Sequence, residues 1–382
     1  MSDSSSKKNA GRLANARRIV IKIGSALFVD QATGALDRGW LEGVCRDVAE
    51  LRDAGKEVVI VSSGAVALGA RELKIDARRA RLEDSQAAAA AGQILLAHAY
   101  QEILRGFGIT AAQVLLTIDD SESRRRYLNA RKTFLTLLGY GAVPVVNEND
   151  TVATQELRYG DNDRLAARVA QMVSAECLVL LSDVDGLYTA DPRVDSGARY
   201  VHEVTEIKRE LWAMAGGPGS SHGSGGMRTK LDAARIAVGA GCAMCIATGR
   251  VARPVSVVRA GGKATWFIPS ATPSAARKQW IAGTLQPKGW VRVDAGAARA
   301  LASGSSLLPA GVTAVEGQFE RGDAVRVVGG DGHELARGLI GYSADEARAI
   351  AGRKSQNIAE VLGYRGRDEI IHRDDLVIVD SK

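Results

Sequence analysis

Glu57-Val58-Val59-Ile60-Val61-Ser62-Ser63-Gly64-Ala65 decides the fold. Val58 to Val61 is an unbroken run of β-branched residues, which favour strands because their χ1 freedom is already restricted. Such a strand is apolar on both faces, so both faces must be covered, as in a parallel sheet between helix layers. The run stops at two serines and a glycine, and a helix is expected from Ala65 to about Gly69. Strand, polar turn and helix in that order make one βα unit.

The same unit recurs outward from this stretch. Strands are expected at Arg18–Ile23, Ala112–Leu116, Ala142–Val146, Cys177–Leu181 and Ala243–Ala247. Helices are expected at Leu36–Ala54, Ser85–Leu104, Ser123–Leu138, Asp163–Val173 and Lys230–Ala240. Polar clusters stand just past the carboxyl ends of the strands: Lys22-Ile23-Gly24-Ser25, Ser62-Ser63-Gly64, Asn147-Glu148-Asn149-Asp150 and Ser182-Asp183. In open α/β sheets, ligands bind at that edge. The Arg124-Arg125-Arg126 run falls on a helix beside Tyr127 and Leu128 and reads as a solvated face.

After about Thr272 the pattern changes to short strands with glycine turns, at Trp290–Val293, Ala324–Val328, Glu334–Gly341 and Leu376–Val379, with a helix at Asp345–Ala351. The expected organisation is a disordered tail over 1–15, an α/β domain over 16–272, a linker over 273–287 and a small mainly-β domain over 288–382. The fold class is α/β, an open mainly parallel sheet sandwiched by helices, plus that β module.

Composition narrows the partners. The net charge is +6, yet Lys288 to Lys382 holds 13 basic and 14 acidic residues, so the excess sits in the first part. A basic first part suits anionic small molecules such as nucleotides and carboxylates. The near-neutral second part is a poor footprint for nucleic acid, which is not expected as a partner. No apolar run reaches the ~20 residues that span a bilayer, and the first ten residues lack an apolar core for a signal peptide. Cys45, Cys177, Cys242 and Cys245 are therefore expected as free thiols in a reducing cytoplasm. Cys242 and Cys245 lie in a small-residue run that reads as buried strand.

The chemistry-bearing segment is Ser221-His222-Gly223-Ser224-Gly225-Gly226-Met227-Arg228-Thr229-Lys230. Gly216 to Gly226 holds six glycines and three serines. Glycine lets backbone N–H groups approach an anion, and a lysine then opens a helical run, which together describe a phosphate site; for the loop alone, a flexible surface linker is the equal alternative. No P-loop and no GxGxxG fingerprint occurs, and the five histidines are scattered, so no metal-binding side-chain cluster is expected. What remains are two lysines, Lys22 and Lys230, with acids and amides at strand ends. Phosphoryl transfer to a carboxylate needs this inventory: the acceptor is already an anion and needs no base, and the barrier is electrostatic repulsion, lowered by lysines, helix N-termini and Mg2+.

Ile21-Lys22-Ile23-Gly24-Ser25, Val61–Ala65, Asn147–Asp150, Gly160-Asp161-Asn162-Asp163, Ser182–Pro192 and Gly225–Lys230 occur in an order that resembles the amino acid kinase family, in its glutamate 5-kinase branch. Residues 288–382 resemble a PUA domain. The resemblance implies ATP and Mg2+ as cofactors and phosphorylation of the side-chain carboxylate of L-glutamate, the first step of proline biosynthesis. It implies Lys22, Lys230 and Asp163 as catalytic, Asp163 holding the two lysines; for Asp163 a helix N-cap is the alternative. Ser63, Gly64, Ala65, Asp150 and Asn162 would receive glutamate. Lys22, Ser182, Asp183, Ser224, Gly225, Gly226, Met227, Arg228, Thr229 and Lys230 would hold the nucleotide, and Asp161 could assist metal or phosphate. A homo-oligomer, feedback by proline, and a glutamate-5-semialdehyde dehydrogenase (glutamyl phosphate reductase) as partner are also implied. N-acetylglutamate kinase, aspartokinase and uridylate kinase share the fold, but the Asn147–Asp150 motif and the PUA-like part argue against them. An RNA-binding PUA protein is the alternative from another class.

Overall fold

A computed structural model of the chain describes residues 11–30, 33–76, 79–152, 162–214, 226–284 and 286–379. The chain divides into two units, Met1–Ser123 with Asn129–Pro273, and Arg124–Leu128 with Ser274–Lys382.

The first unit is built on β1 (Arg18–Ile23), β2 (Glu57–Ser62), β3 (Ala111–Leu116), β4 (Val143–Glu148), β5 (Cys177–Ser182), the small pair β6 (Leu187–Tyr188) and β7 (Tyr200–Val201), β8 (Glu203–Val204), β9 (Ala243–Thr248) and β10 (Ala264–Phe267). The large sheet runs β3-β4-β2-β1-β5-β9-β10-β8. Every pairing from β3 to β9 is parallel, and β10 turns antiparallel against β9. The chain leaves β1 toward β2 on one side and reaches β5 on the other. A crevice opens at such a switch in strand order.

Alternation along β1 fixes which helices cover which face. Ile19, Ile21 and Ile23 join a core with Trp40, Leu41 and Val44 of the helix Arg38–Asp53 and Leu96, Tyr100 and Leu104 of the helix Leu82–Gly106. Each such fully buried isoleucine contributes about 2 kcal/mol. Lys22 faces the other way, toward the helices Asn162–Val173 and Met227–Gly239.

Residues 11–15, expected within a disordered tail, are helical. Leu13 is fully buried in the main core, and Arg12 donates to Glu203 at 2.6 Å, which is why this stretch is ordered. Residues 1–10 lie outside the described residues. The cysteines are all free and buried. Among the described residues no helix is long and apolar enough to cross a membrane.

The second unit carries a sheet of β11 (Gly289–Val293), β12 (Val312–Gly317), β13 (Ala324–Val328), β14 (Glu334–Leu339) and β15 (Leu376–Ile378), ordered β12-β11-β13-β14-β15. Only β11–β13 is parallel. Its core includes Val291, Val325, Val327, Ile340, Tyr342, Ile350 and Ile370. Pro273–Thr284, read from sequence as a connector, forms a helix. Arg125 and Arg126 are exposed, and Arg124 pairs with Asp323 at 3.4 Å.

Two glycines bring helix backbones into contact beside the site. The helix Ala65–Glu72 lies on Leu82–Gly106, where a Cβ on Gly69 would fall 1.7 Å from the Ala88 carbonyl oxygen and one on Gly92 1.8 Å from that of Ala65. Neither backbone can yield locally, so Gly92→Ala is expected to destabilise the first unit by about 2 kcal/mol or more. Thermal unfolding of the variant against the parent checks this.

Candidate active site

The carboxyl ends of β4, β2, β1 and β5 stand side by side, and the expected residues collect along them. Lys22 is level with Val61 and Leu180, and Ile23 with Ser62. Adjacent strands lie about 4.8 Å apart, so the turns after β2 and β5 flank Lys22 at about 10 Å from each other.

Asp163 is in the first turn of the helix Asn162–Val173 and is 2% exposed. Its Oδ1 meets Lys22 Nζ at 2.6 Å and its Oδ2 meets Lys230 Nζ at 3.1 Å. Lys22 and Lys230 are 7% and 4% exposed. Burial works to raise the Asp163 carboxyl, and the two ammonium groups reverse that and hold it at about 2. The cluster carries two positive charges against one negative. Gly24 passes close to Lys22: a Cβ there would make ordinary contact with Nζ, at 3.6 Å.

On the β2 side, Gly64 takes φ +109° and starts the helix Ala65–Glu72. A Cβ on it would press on Phe28 and Val29 at 3.2 Å, so the turn is both left-handed and tightly seated. Asn162 Nδ2 donates to Ser63 Oγ at 2.8 Å, to the Ser62 carbonyl at 3.2 Å and to Asn147 Oδ1 at 3.0 Å. Asn147 in turn donates to Gln93 at 2.6 Å. Asn162 Oδ1 is buried with no hydrogen-bond partner among the described residues, a free acceptor inside the site. Asp150 lines a pocket of about 290 Å3 with Ala89, Gln93, Gln113, Glu148 and Asn149. Burial raises its carboxyl to about 6.

On the β5 side, Ser182 Oγ lies 3.1 Å from Asp183 Oδ1, and Ser182 is buried while Asp183 is exposed. Gly226 precedes the helix Met227–Gly239 in extended conformation and has no side chain to cap it, and Thr229 N–H donates to the Gly226 carbonyl at 3.1 Å. Thr229 Oγ1 donates to the Gly226 carbonyl at 2.8 Å and reaches Asp163 Oδ2 at 3.3 Å. Met227 and Arg228 occupy the first turn of the same helix. Ser224, Gly225 and Asp161 lie outside the described residues.

The structure thus brings Lys22, Lys230, Asp163 and Thr229 together, and separately Ser63, Asn162 and Asn147. Asn147 and Gln93 had drawn no role from sequence. Asn147 stood in a recognised polar cluster where only Asp150 looked reactive, and Gln93 sits in an alanine-rich helix with nothing to mark it.

A model of the amino acid kinase family matches residues 17–248, more than half of the chain. The chain belongs to the amino acid kinase family. A PUA domain follows over residues 289–362. Within the amino acid kinase family, the chain is 62% identical to a glutamate 5-kinase of Paramagnetospirillum magneticum, over 96% of this chain and 99% of the relative. It is 59% identical to a glutamate 5-kinase of Rhodospirillum rubrum over 94% of this chain and 96% of that protein. A glutamate 5-kinase 1 of Rhizobium meliloti is also 59% identical, over 96% and 93%.

Removing the carboxylate between two buried ammonium groups leaves them facing each other. Asp163→Asn is expected to cost about 3–5 kcal/mol. Because the native Asp163 carboxyl sits below its unfolded value of about 3.9, its contribution is complete above pH ~4 and fades as pH falls toward 2. Acid unfolding should therefore be flatter between pH 4 and 2 in the variant than in the parent.

Proposed function

We infer that this chain transfers the γ-phosphoryl group of ATP to the side-chain carboxylate of L-glutamate, giving L-glutamyl 5-phosphate and ADP, as the entry step of proline biosynthesis. The observation that carries this is the Lys22–Asp163–Lys230 cluster, two ammonium groups on one carboxylate among the described residues, standing between the Ser63–Asn162–Asn147 group and the turn after β5. The near full-length similarity to glutamate 5-kinases supports the same substrate.

The acceptor carboxylate would rest against the Ser63 hydroxyl and the N–H groups of Gly64 and Ala65, where a helix begins and its dipole favours an anion. Asp150 and Asn162 Oδ1 are acceptors, which suit the α-ammonium of a free amino acid and penalise an N-acetylated one. Lys22, between the two sides, screens the carboxylate from the phosphate it attacks. Lys230 and the first N–H groups after Gly226 meet the donor, with Ser182 and Asp183 along its edge. As the new O–P bond forms, the bond to the leaving diphosphate breaks and its charge is met by the same ammonium groups.

Both Asp163 oxygens already face lysines, and among the described residues no group of three or more His, Cys, Asp or Glu could hold a metal. The fit is therefore to Mg2+ arriving on the triphosphate, where it would add positive charge to the phosphate oxygens. We place the reaction in the cytoplasm and the enzyme in a homo-oligomer. An acyl phosphate hydrolyses readily, which favours direct use by a glutamate-5-semialdehyde dehydrogenase.

ADP release with glutamate, N-acetylglutamate, aspartate and UMP as acceptors tests the assignment. Glutamate alone should support rapid turnover, and an equal rate with another acceptor would overturn it. Lys22→Ala and Lys230→Ala should each lower kcat about a thousandfold while the variants remain folded. Asp150 binds an ammonium only as a carboxylate. kcat/KM for glutamate should thus fall as pH drops below about 6, and Asp150→Asn should lower it and erase that dependence.

A further inference from the structure

Lys263, just before β10, lies three strands away from Lys22 and outside every motif of the sequence, yet it grips the turn that follows β5. This turn, Asp183 to Gly186, leaves β5 where Ser182 pairs in register with Thr248 of β9. Its near end is tied by Gly249 N–H to the Ser182 carbonyl at 2.7 Å and by Arg250 Nε to the Asp183 carbonyl at 3.2 Å. Its far end is tied by Leu187 N–H to Thr265 Oγ1 at 2.8 Å. That fully buried hydroxyl donates onward to the Val201 carbonyl at 2.6 Å. Gly186, at φ +150°, has no slack: a Cβ there would lie 2.6 Å from Thr265 Oγ1 and 2.7 Å from the Tyr200 ring.

Between those ties lie Val184, Asp185 and Gly186; the Tyr200 hydroxyl donates to the Asp185 carbonyl at 3.4 Å, and the Asp185 carboxylate is held by one cation. Lys263 Nζ meets Asp185 Oδ2 at 2.6 Å and donates to the Tyr188 hydroxyl at 2.8 Å, while Tyr188 donates to Asp185 at 3.1 Å. The ammonium also stands 4.5 Å from the Tyr200 ring centre and 5.2 Å from that of Tyr188, so aromatic faces and a carboxylate fix it together. The cage has an electrostatic consequence as well. Asp183 and Asp185 are two carboxylates on an edge that a polyphosphate approaches. Lys263 neutralises Asp185, and without it the Asp185 carboxylate would add an unpaired negative charge beside Asp183 on that edge.

We propose that Lys263 is a positioning residue for the nucleotide: through Asp185 and Tyr188 it sets the Ser182–Asp183 turn and cancels one of its charges, without touching either substrate. The proposal rests on the kinase reading above. Because Ser63 follows β2, Asp150 follows β4 and Asn162 opens the helix Asn162–Val173, the glutamate side should not feel the change. Lys263→Met keeps the aliphatic stem and removes the charge. It is expected to raise KM for ATP about tenfold, with kcat and KM for glutamate within about twofold of the parent. Lys263→Arg should recover most of the loss. The Lys263 side chain is half exposed, so the variant should fold, and its thermal midpoint is measured alongside. Were it to unfold, Asp185→Asn removes the same tie at constant shape without leaving an unpaired carboxylate, so KM for ATP should rise through the positioning effect alone, by a smaller factor than in Lys263→Met. An unchanged KM for ATP, or equal rises in both KM values, would overturn the positioning role. Absence of glutamate-dependent ADP release in the parent enzyme would instead overturn the kinase reading.

Discussion

One carboxylate shared by two buried ammonium groups sets the terms for this protein. Charges taken out of water are costly unless they are closely paired, and Asp163 pairs with both lysines, one on each oxygen. It stands in the first turn of its helix, where the backbone adds further positive potential. The three residues come from positions 22, 163 and 230, so the cluster forms only when β1 and two helices have all docked. Among the described residues it counts two ammonium groups against one carboxylate, an excess that suits a polyanion.

Strand order turns that cluster into a divided site. β1 lies between β2 and β5, so Lys22 separates the turn at Ser63–Ala65 from the turn at Ser182–Asp183. The amide chain Gln93–Asn147–Asn162–Ser63 stiffens one side, and the Lys263–Asp185–Tyr188 cage stiffens the other. The two sides are supported by different elements.

The sheet was legible because its strands are short β-branched runs that keep one reading in any context, as Val58–Val61 and Ile19–Ile23 do. The edge was less so. β8 has two residues and β10 four, Ala264-Thr265-Trp266-Phe267. Runs that short carry no period, and only pairing with β9 and β8 makes the latter a strand. Pro273–Thr284 read as a connector because its small and polar residues show no apolar stripe. In the site, charge and motif singled out Lys22, Asp163 and Lys230. Asn147, Gln93 and Lys263 act through partners far away in sequence, at Asn162, Asn147 and Asp185, and a hydrogen bond of that kind leaves no local pattern.

The acceptor chemistry follows from what the acids near the cluster are already doing. A hydroxyl acceptor would need a general base beside it with an open lone pair and a pKa near neutrality. Asp163 is held at about 2 with both oxygens facing lysines, so it cannot take a proton. Asp150 has the right pKa, about 6, but as an anionic acceptor beside the amide-lined pocket it suits an ammonium better than a hydroxyl. A carboxylate acceptor asks for no proton transfer at all. It asks for positive charge between two anions and for a rigid seat on each side, and those are the two things the strand ends supply.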